Sequence, residues 1–214
     1  MNFIPPFLVE EPEAIKQLIA ALGAHAMASV VTVHDNQPLS SFLPVDFMAA
    51  DGLAIGTVVL HLANTNMQWE SFKNGGWVLV EFKSPDMYIS PSWFVDRNRA
   101  PTNVHSVVQC YGHARIIEDV EQKSRLLNAQ VAAREGSAPN HWHPDELQND
   151  GYARRLKAIT LVEIPIESAK ASVRMLQDES IANVHAVLMH LEASPATKEG
   201  WIATAIKNAN ADRL

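Results

Sequence analysis

Three stretches of this 214-residue chain carry residue types and spacings that can do chemistry. The first is Ser90-Pro91-Ser92-Trp93, followed across a polar loop holding Arg97 and Arg99 by Pro101-Thr102. A proline-marked turn interrupts regular pairing and leaves hydroxyls, backbone N–H groups and an indole close together, which suits a flat aromatic ligand with polar edges. The plainer reading of the same residues is a punctuated loop with Trp93 plugging the core. The second stretch, His61-Leu62-Ala63-Asn64-Thr65-Asn66, falls at an expected strand-to-helix junction. Unpaired N–H groups at a helix start attract anions, so Asn64, Thr65 and Asn66 can cradle a phosphate or simply cap the helix. The third is His141-Trp142-His143, where two imidazoles with only Asp145 and Glu146 beside them do not close a zinc site; a loop cover is the better reading.

Other chemistries lack their residues. There is no Gly-x-Ser-x-Gly elbow, no phosphate-cradling glycine loop and no base beside Cys110, which reads as a small core residue of a β-like run. What remains is a cofactor pocket whose chemistry would be the cofactor's own. Composition sets further bounds. With 47% hydrophobic and 19% charged residues, the chain is long enough for one compact domain with a helical appendage. Seventeen Lys and Arg against 24 Asp and Glu give a formal charge of −7, which opposes attraction to nucleic acid or anionic lipid. A lone cysteine excludes an internal disulfide, and neither a bilayer-length apolar run nor a basic-then-apolar leader is visible. A cytoplasmic protein without membrane attachment is expected.

The elements that must position these residues follow from periodicity. Pro12, Ile15, Leu18, Ile19 and Leu22 before Gly23 predict a short amphipathic helix. Residues 26–33 and 39–47 flank the polar group His34-Asp35-Asn36-Gln37-Pro38 as a hairpin, and a third strand is expected over Leu53–Leu60. Asn66 opens a short helix ended by Gly75-Gly76, Trp77–Phe82 is a strand, and a long strand runs from Val104 to Ile117. Helices are expected over Val120–Arg134 and Asp145–Leu156, with a loop at Gly136–Pro144 between them. Strands at Ala158–Ile166 and Ala169–Leu176 precede two apolar stripes at helical spacing, Ile181 to Leu191 and Trp201 to Ile206. Several β elements without helical crossovers imply an antiparallel barrel or sandwich.

Taken together, the short N-terminal helix, the hairpin, His61-Leu62-Ala63 with Asn66, Tyr88-Ile89-Ser90-Pro91-Ser92-Trp93, Pro101-Thr102 and Tyr111-Gly112 resemble the PaiB-type proteins, FMN-binding negative transcriptional regulators. The resemblance runs from about Phe3 to Ile166. It implies a mainly β fold with flanking helices, an antiparallel FMN-binding split β-barrel, assembled as a homodimer with flavin at the subunit interface. Residues 1–166 would form the barrel domain with its N-terminal and inserted helices, and 167–214 a C-terminal strand and helical extension on the same domain. The implied cofactor-binding residues are His61, Asn64, Asn66, Ser90, Ser92, Trp93 and Thr102, with Arg174 and Gln177 near the C-terminus. Hydroxyls and amides would bond the pyrimidine edge or the phosphate, and Trp93 would shield the ring from water.

Three departures bear on affinity. Where the family reads His-Leu-Ala-Arg-Ala-Asn-Pro, this chain has Asn64-Thr65 and Met67; Pro-Thr-Trp-Asn-Tyr becomes Pro101-Thr102-Asn103-Val104-His105. Lys-Leu-Ser-Gln-Asn-Arg becomes Arg174-Met175-Leu176-Gln177-Asp178-Glu179. A lost charged hydrogen bond costs about 1.5–3 kcal/mol, which weakens FMN binding roughly 10- to 100-fold. FMN is thus expected as a cofactor held weakly or lost, unless Lys73, Arg97, Arg99 or Arg174 compensates. Three functions stand open: an FMN-binding regulator whose DNA contact rests on family analogy alone, a flavin-dependent oxidoreductase of the pyridoxamine-phosphate oxidase or flavin reductase type using His61 or His105 for proton transfer, and a cofactor-free dimeric interaction module.

Overall fold

A computed structural model describes residues 7–23, 26–73, 75–136, 140–194 and 196–214. In chain order its elements are β1 (Leu8–Val9), α1 (Pro12–Gly23), β2 (Met27–His34), β3 (Gln37–Ala49), β4 (Gly56–Ala63), α2 (Trp69–Lys73), β5 (Trp77–Lys83) and β6 (Met87–Ile89). There follow β7 (Thr102–His113), β8 (Arg115–Ile117), α3 (Val120–Glu135), α4 (Gly151–Lys157), β9 (Ile159–Arg174), α5 (Ile181–Glu192) and α6 (Thr197–Ala209). These fall into two compact units. A barrel unit comprises Glu11–Phe82 and Gln109–Ala169; a helical unit comprises Met1–Glu10, Lys83–Val108 and Lys170–Leu214.

In the barrel unit, α1 starts because the Glu11 carboxylate accepts from the N–H groups of Ala14 (2.7 Å) and Glu13 (3.1 Å), bonds that hold its carboxyl below the usual carboxylate range. Strands β2 and β3 form a tight hairpin with His34 opposite Gln37. Its two turn residues, Asp35 and Asn36, both take positive φ (48° and 61°), a conformation these two residue types tolerate better than most. Strand β4 pairs antiparallel with β3 and β9, and β5 lies on the other side of β2. The order β9-β4-β3-β2-β5-β7 closes when β7 pairs back to β9, giving a mainly antiparallel barrel. Closure explains one glycine: a Cβ at Gly112 would stand 2.1 Å from the Pro165 carbonyl oxygen. Val30, Val58, Leu60, Val80 and Ile164 are fully buried, while Val59 and Leu161 join Ile117 in a second cluster covered by Leu126 and Leu127 of α3.

In the helical unit, β1 pairs with the end of β9 (Leu8 opposite Ser172), and β6 pairs with the start of β7 (Ile89 opposite Thr102). Val184, Val187, Leu188 and Leu191 of α5 and Ile202 and Ile206 of α6 bury themselves with Ile89, Phe94, Val104, Met175 and Leu176. Burying one such side chain stabilises by about 1.5–3 kcal/mol, so this cluster anchors α5.

Several boundaries differ from the sequence expectation. The third strand begins at Gly56, beyond a turn at residues 51–53. The single run expected from Val104 to Ile117 breaks at Ala114 into β7 and β8. The helix expected over Asp145–Leu156 is instead a one-turn 3-10 segment, Pro144–Glu146, and α4, because Asn149 and Asp150 adopt left-handed backbone (φ 53° and 55°). The two strands expected around residue 167 are one continuous β9 of 16 residues. Part of the expected loop at Gly136–Pro144 lies outside the described residues. Among the described residues no helix is long and apolar enough to cross a membrane.

Candidate ligand site

Ser90, Ser92, Trp93 and Thr102 come together in the helical unit. The ladder between β6 and β7 ends at the Ile89–Thr102 pair, so Ser90 and Pro101, the next residue on each strand, leave it side by side. Proline at 91 tightens the chain into a 3-10 turn over Pro91–Trp93. The Ser90 hydroxyl accepts from the Ser92 N–H (3.2 Å) and shares a 2.8 Å hydrogen bond with the Ser92 hydroxyl. Two hydroxyls bonded to each other need only one of their two protons for that bond, so the pair keeps a donor to offer, and Ser92 is exposed.

Trp93 is half-buried. It packs against the α5–α6 cluster, and one face of its indole stacks on His190 of α5, ring centroids 4.0 Å apart and planes 23° from parallel. Both readings of this tryptophan therefore hold in part: it seals the cluster beneath it while its turn stays open.

The loop after this turn is tethered to α5. The Asn183 side-chain oxygen accepts from the N–H groups of Val95 (3.1 Å) and Asp96 (3.4 Å). Asn183 also donates to Glu179 (3.2 Å), which accepts from Arg99 at 2.6 Å. Arg99 additionally lies over the Phe94 ring, 4.2 Å from its centroid. Neither Asn183 nor Glu179 carried any sequence signal for this role, because each acts on a loop 80 or more residues away.

Arg174 and Gln177 also belong to the helical unit, at the turn between β9 and α5. The Arg174 guanidinium lies 5.3 Å from the centroid of the Phe7 ring. The Gln177 side chain is spent on that turn: it accepts from the Met175 N–H (2.6 Å) and donates to the Val173 carbonyl (2.8 Å). Arg213 donates to the carbonyls of Gln177 and Glu179 and fixes the turn from the C-terminal side.

His61, Asn64 and Asn66 lie in the barrel unit. The Asn64 amide donates to the Lys157 carbonyl (2.8 Å) and accepts from the Thr160 hydroxyl (2.9 Å), stitching the end of β4 to the start of β9. Asn66 donates to the Ser41 hydroxyl (3.0 Å) and accepts from the Gln68 N–H (3.0 Å), so it organises the turn into α2. His61 shares a 2.9 Å hydrogen bond with Gln130, a buried residue of α3. Burial pushes the His61 imidazole below its ordinary pKa, only partly opposed by the Gln130 bond. One turn on, Arg134 donates to Asp46 (2.9 Å) and to the Val45 carbonyl (3.3 Å), and the buried Gln130 Nε2 has no hydrogen-bond partner among the described residues. Sequence reasoning missed Gln130 and Arg134, since α3 shows little separation of polar and apolar faces.

The remaining candidates have structural duties. His143 caps the 3-10 turn at Pro144–Glu146, its Nδ1 accepting from the Asp145 N–H (3.3 Å) while Glu146 accepts from the His143 N–H (2.9 Å). Cys110 is buried, and burial pushes its thiol up to about 12.

The donor set bears on what such a site can hold. Open hydroxyls at Ser90 and Ser92 fit the polar edge of a flavin. Position 64 offers an amide already in use where a phosphate would call for a cation. Of the possible replacements, Lys73 lies over the Trp69 ring, Arg99 is paired with Glu179, and Arg174 is drawn to Phe7. Arg97 is exposed, and its side chain has no partner among the described residues.

A mainly antiparallel barrel whose strand order closes through β7 and β9 places the chain in the split-barrel class that includes flavin-binding proteins. The same fold occurs in the flavocytochrome Anf3 of Azotobacter vinelandii (TM-score 0.60, 18% identity, 78% of this chain and 69% of that one) and in an FAD- and haem-binding protein of Mycobacterium smegmatis (TM-score 0.58, 14% identity, 78% and 73%). Residues 1–168 match the family described as "Putative FMN-binding domain", and the chain belongs to that family. It is 28% identical over 178 residues to the protease synthase and sporulation protein PAI 2 of Bacillus subtilis strain 168, covering 82% of this chain and 84% of that protein. The PaiB-type resemblance read from the Ser-Pro-Ser-Trp segment is thereby borne out.

Proposed function

We propose that this protein binds FMN weakly and acts as a homodimeric, flavin-responsive regulatory protein of the PaiB type, and that it has no catalytic acid or base of its own. The observation that carries the reading is the Ser90–Trp93 turn, held beside Thr102 by the β6–β7 ladder with its hydroxyls open. Ser90, Ser92 and Thr102 supply hydrogen bonds to a polar ring edge, and Trp93 shields the ring from water. FMN would bring the redox chemistry; the chain would bind and orient it. Arg97 would supply the cation for the phosphate, because among the four candidates its side chain alone has no partner among the described residues.

The test is a titration with FMN and riboflavin followed by flavin fluorescence. The wild type is expected to quench both, and FMN more strongly. Arg97→Ala should lower FMN affinity roughly 10-fold and leave riboflavin unchanged, since only FMN carries the phosphate. No quenching at high FMN by folded protein overturns the proposal.

A cofactor-free interaction module is the second reading. It is favoured by Asn64, Asn66 and Gln177, whose side-chain amides are all spent on internal hydrogen bonds. The same titration separates the two.

A further inference from the structure

The family match ends at residue 168, yet the ring that covers Trp93 comes from α5, beyond that limit. Trp93 has one indole face under His190, and it packs against the buried α5–α6 cluster. His190 itself is exposed. With its inner face on the indole, the exposure of the imidazole lies on its outer face and edge. The stack therefore presents the outer face of a histidine, beside the part of the indole left open, to whatever approaches this turn.

The position is fixed from several directions. Val187, Leu188 and Leu191 hold this part of α5 in the cluster, Asn183 grips the backbone at Val95 and Asp96, and Glu179 grips Arg99. A ring held this way loses little freedom when a second ring settles on it, which is what makes a stacking platform effective.

We propose that His190 is the surface on which a flat aromatic ligand stacks, with Trp93 as its rigid backing. The ligand class is the tricyclic ring of a flavin or an aromatic system of similar size, and the inference rests on the flavin reading given above. It assigns part of the ring recognition to a residue of the C-terminal extension, outside the family domain.

Lumiflavin, riboflavin and FMN share the ring and differ in side chain and phosphate, so titrating all three locates the contact. Against the wild type, His190→Ala should weaken all three by the same factor, about 3- to 10-fold, and His190→Phe should restore them. Trp93 emission should change in His190→Ala, and Trp93→Phe should remove that change, which reports the stack without any flavin. Unaltered affinities in His190→Ala overturn the platform while leaving the flavin reading intact. Tighter binding in that variant overturns it too, because His190 would then be a competitor for the indole. If the wild type binds none of the three, the flavin reading fails and the platform with it.

Discussion

His61 shows how one buried side chain ties stability to pH. Burial lowers its folded pKa below the ordinary 6.5, so on acidification the unfolded chain takes up this proton before the folded one does. The contribution is complete above about pH 6.5 and is lost as pH falls from there toward the depressed folded value. Thermal melts at pH 7.5 and 5.5 should show the wild type losing more stability than His61→Asn; equal losses would mean that His61 is not the group responsible. Its own type and place at the end of β4 drew attention to it in the sequence. Gln130 could not be found that way, because its partner lies 69 residues distant and α3 gives no amphipathic signal to show which face turns inward. The same limit hid His190: a stacked pair formed between β6–β7 and α5 leaves no mark on local spacing.

Among the elements, β7 carries the sharpest constraint. Gly112→Ala would drive a methyl group against the Pro165 carbonyl, a contact that backbone must move to relieve. A loss of about 2–4 kcal/mol is expected, read as a drop in the urea midpoint, with the seam between β7 and β9 exchanging amide protons faster than the β2–β3 hairpin. A variant as stable as the wild type would show that the seam is loose. Elements whose signals are local were legible beforehand: the hairpin through Asp35-Asn36, α1 through its apolar spacing, and the bend through Pro91 and Pro101. Elements whose limits depend on distant partners were not. Nothing near residue 167 says that β9 continues, because its second half is defined by pairing with Leu8 and Val9. The left-handed residues at 149 and 150, which end one helix and begin another, likewise look ordinary in sequence.

For the whole molecule, the outer surface of the barrel unit carries the prediction about assembly. Met27 and Val33 on β2, Phe42 on β3 and Trp77 on β5 share one face by strand alternation and register, and each is between 45% and 65% exposed. An apolar sheet face of this extent is what a twofold partner covers, at about 800 Å² per subunit for a stable pair. Light scattering at micromolar concentration should give a dimer for the wild type and a monomer for Phe42→Asp with Val33→Asp; a monomeric wild type would remove the homodimer from the proposed function.

The helical unit is gathered from three separate lengths of chain, and its part of β9 begins at Lys170, two residues after the family match stops. A gene ended at residue 168 would therefore sever a strand in mid-ladder, orphan Leu8 and Val9, and strip Ile89, Phe94 and Val104 of their cover. Such a fragment would be expected in inclusion bodies even though it spans every residue of the family match. The limit of the family match is thus not one at which the folded object can be cut.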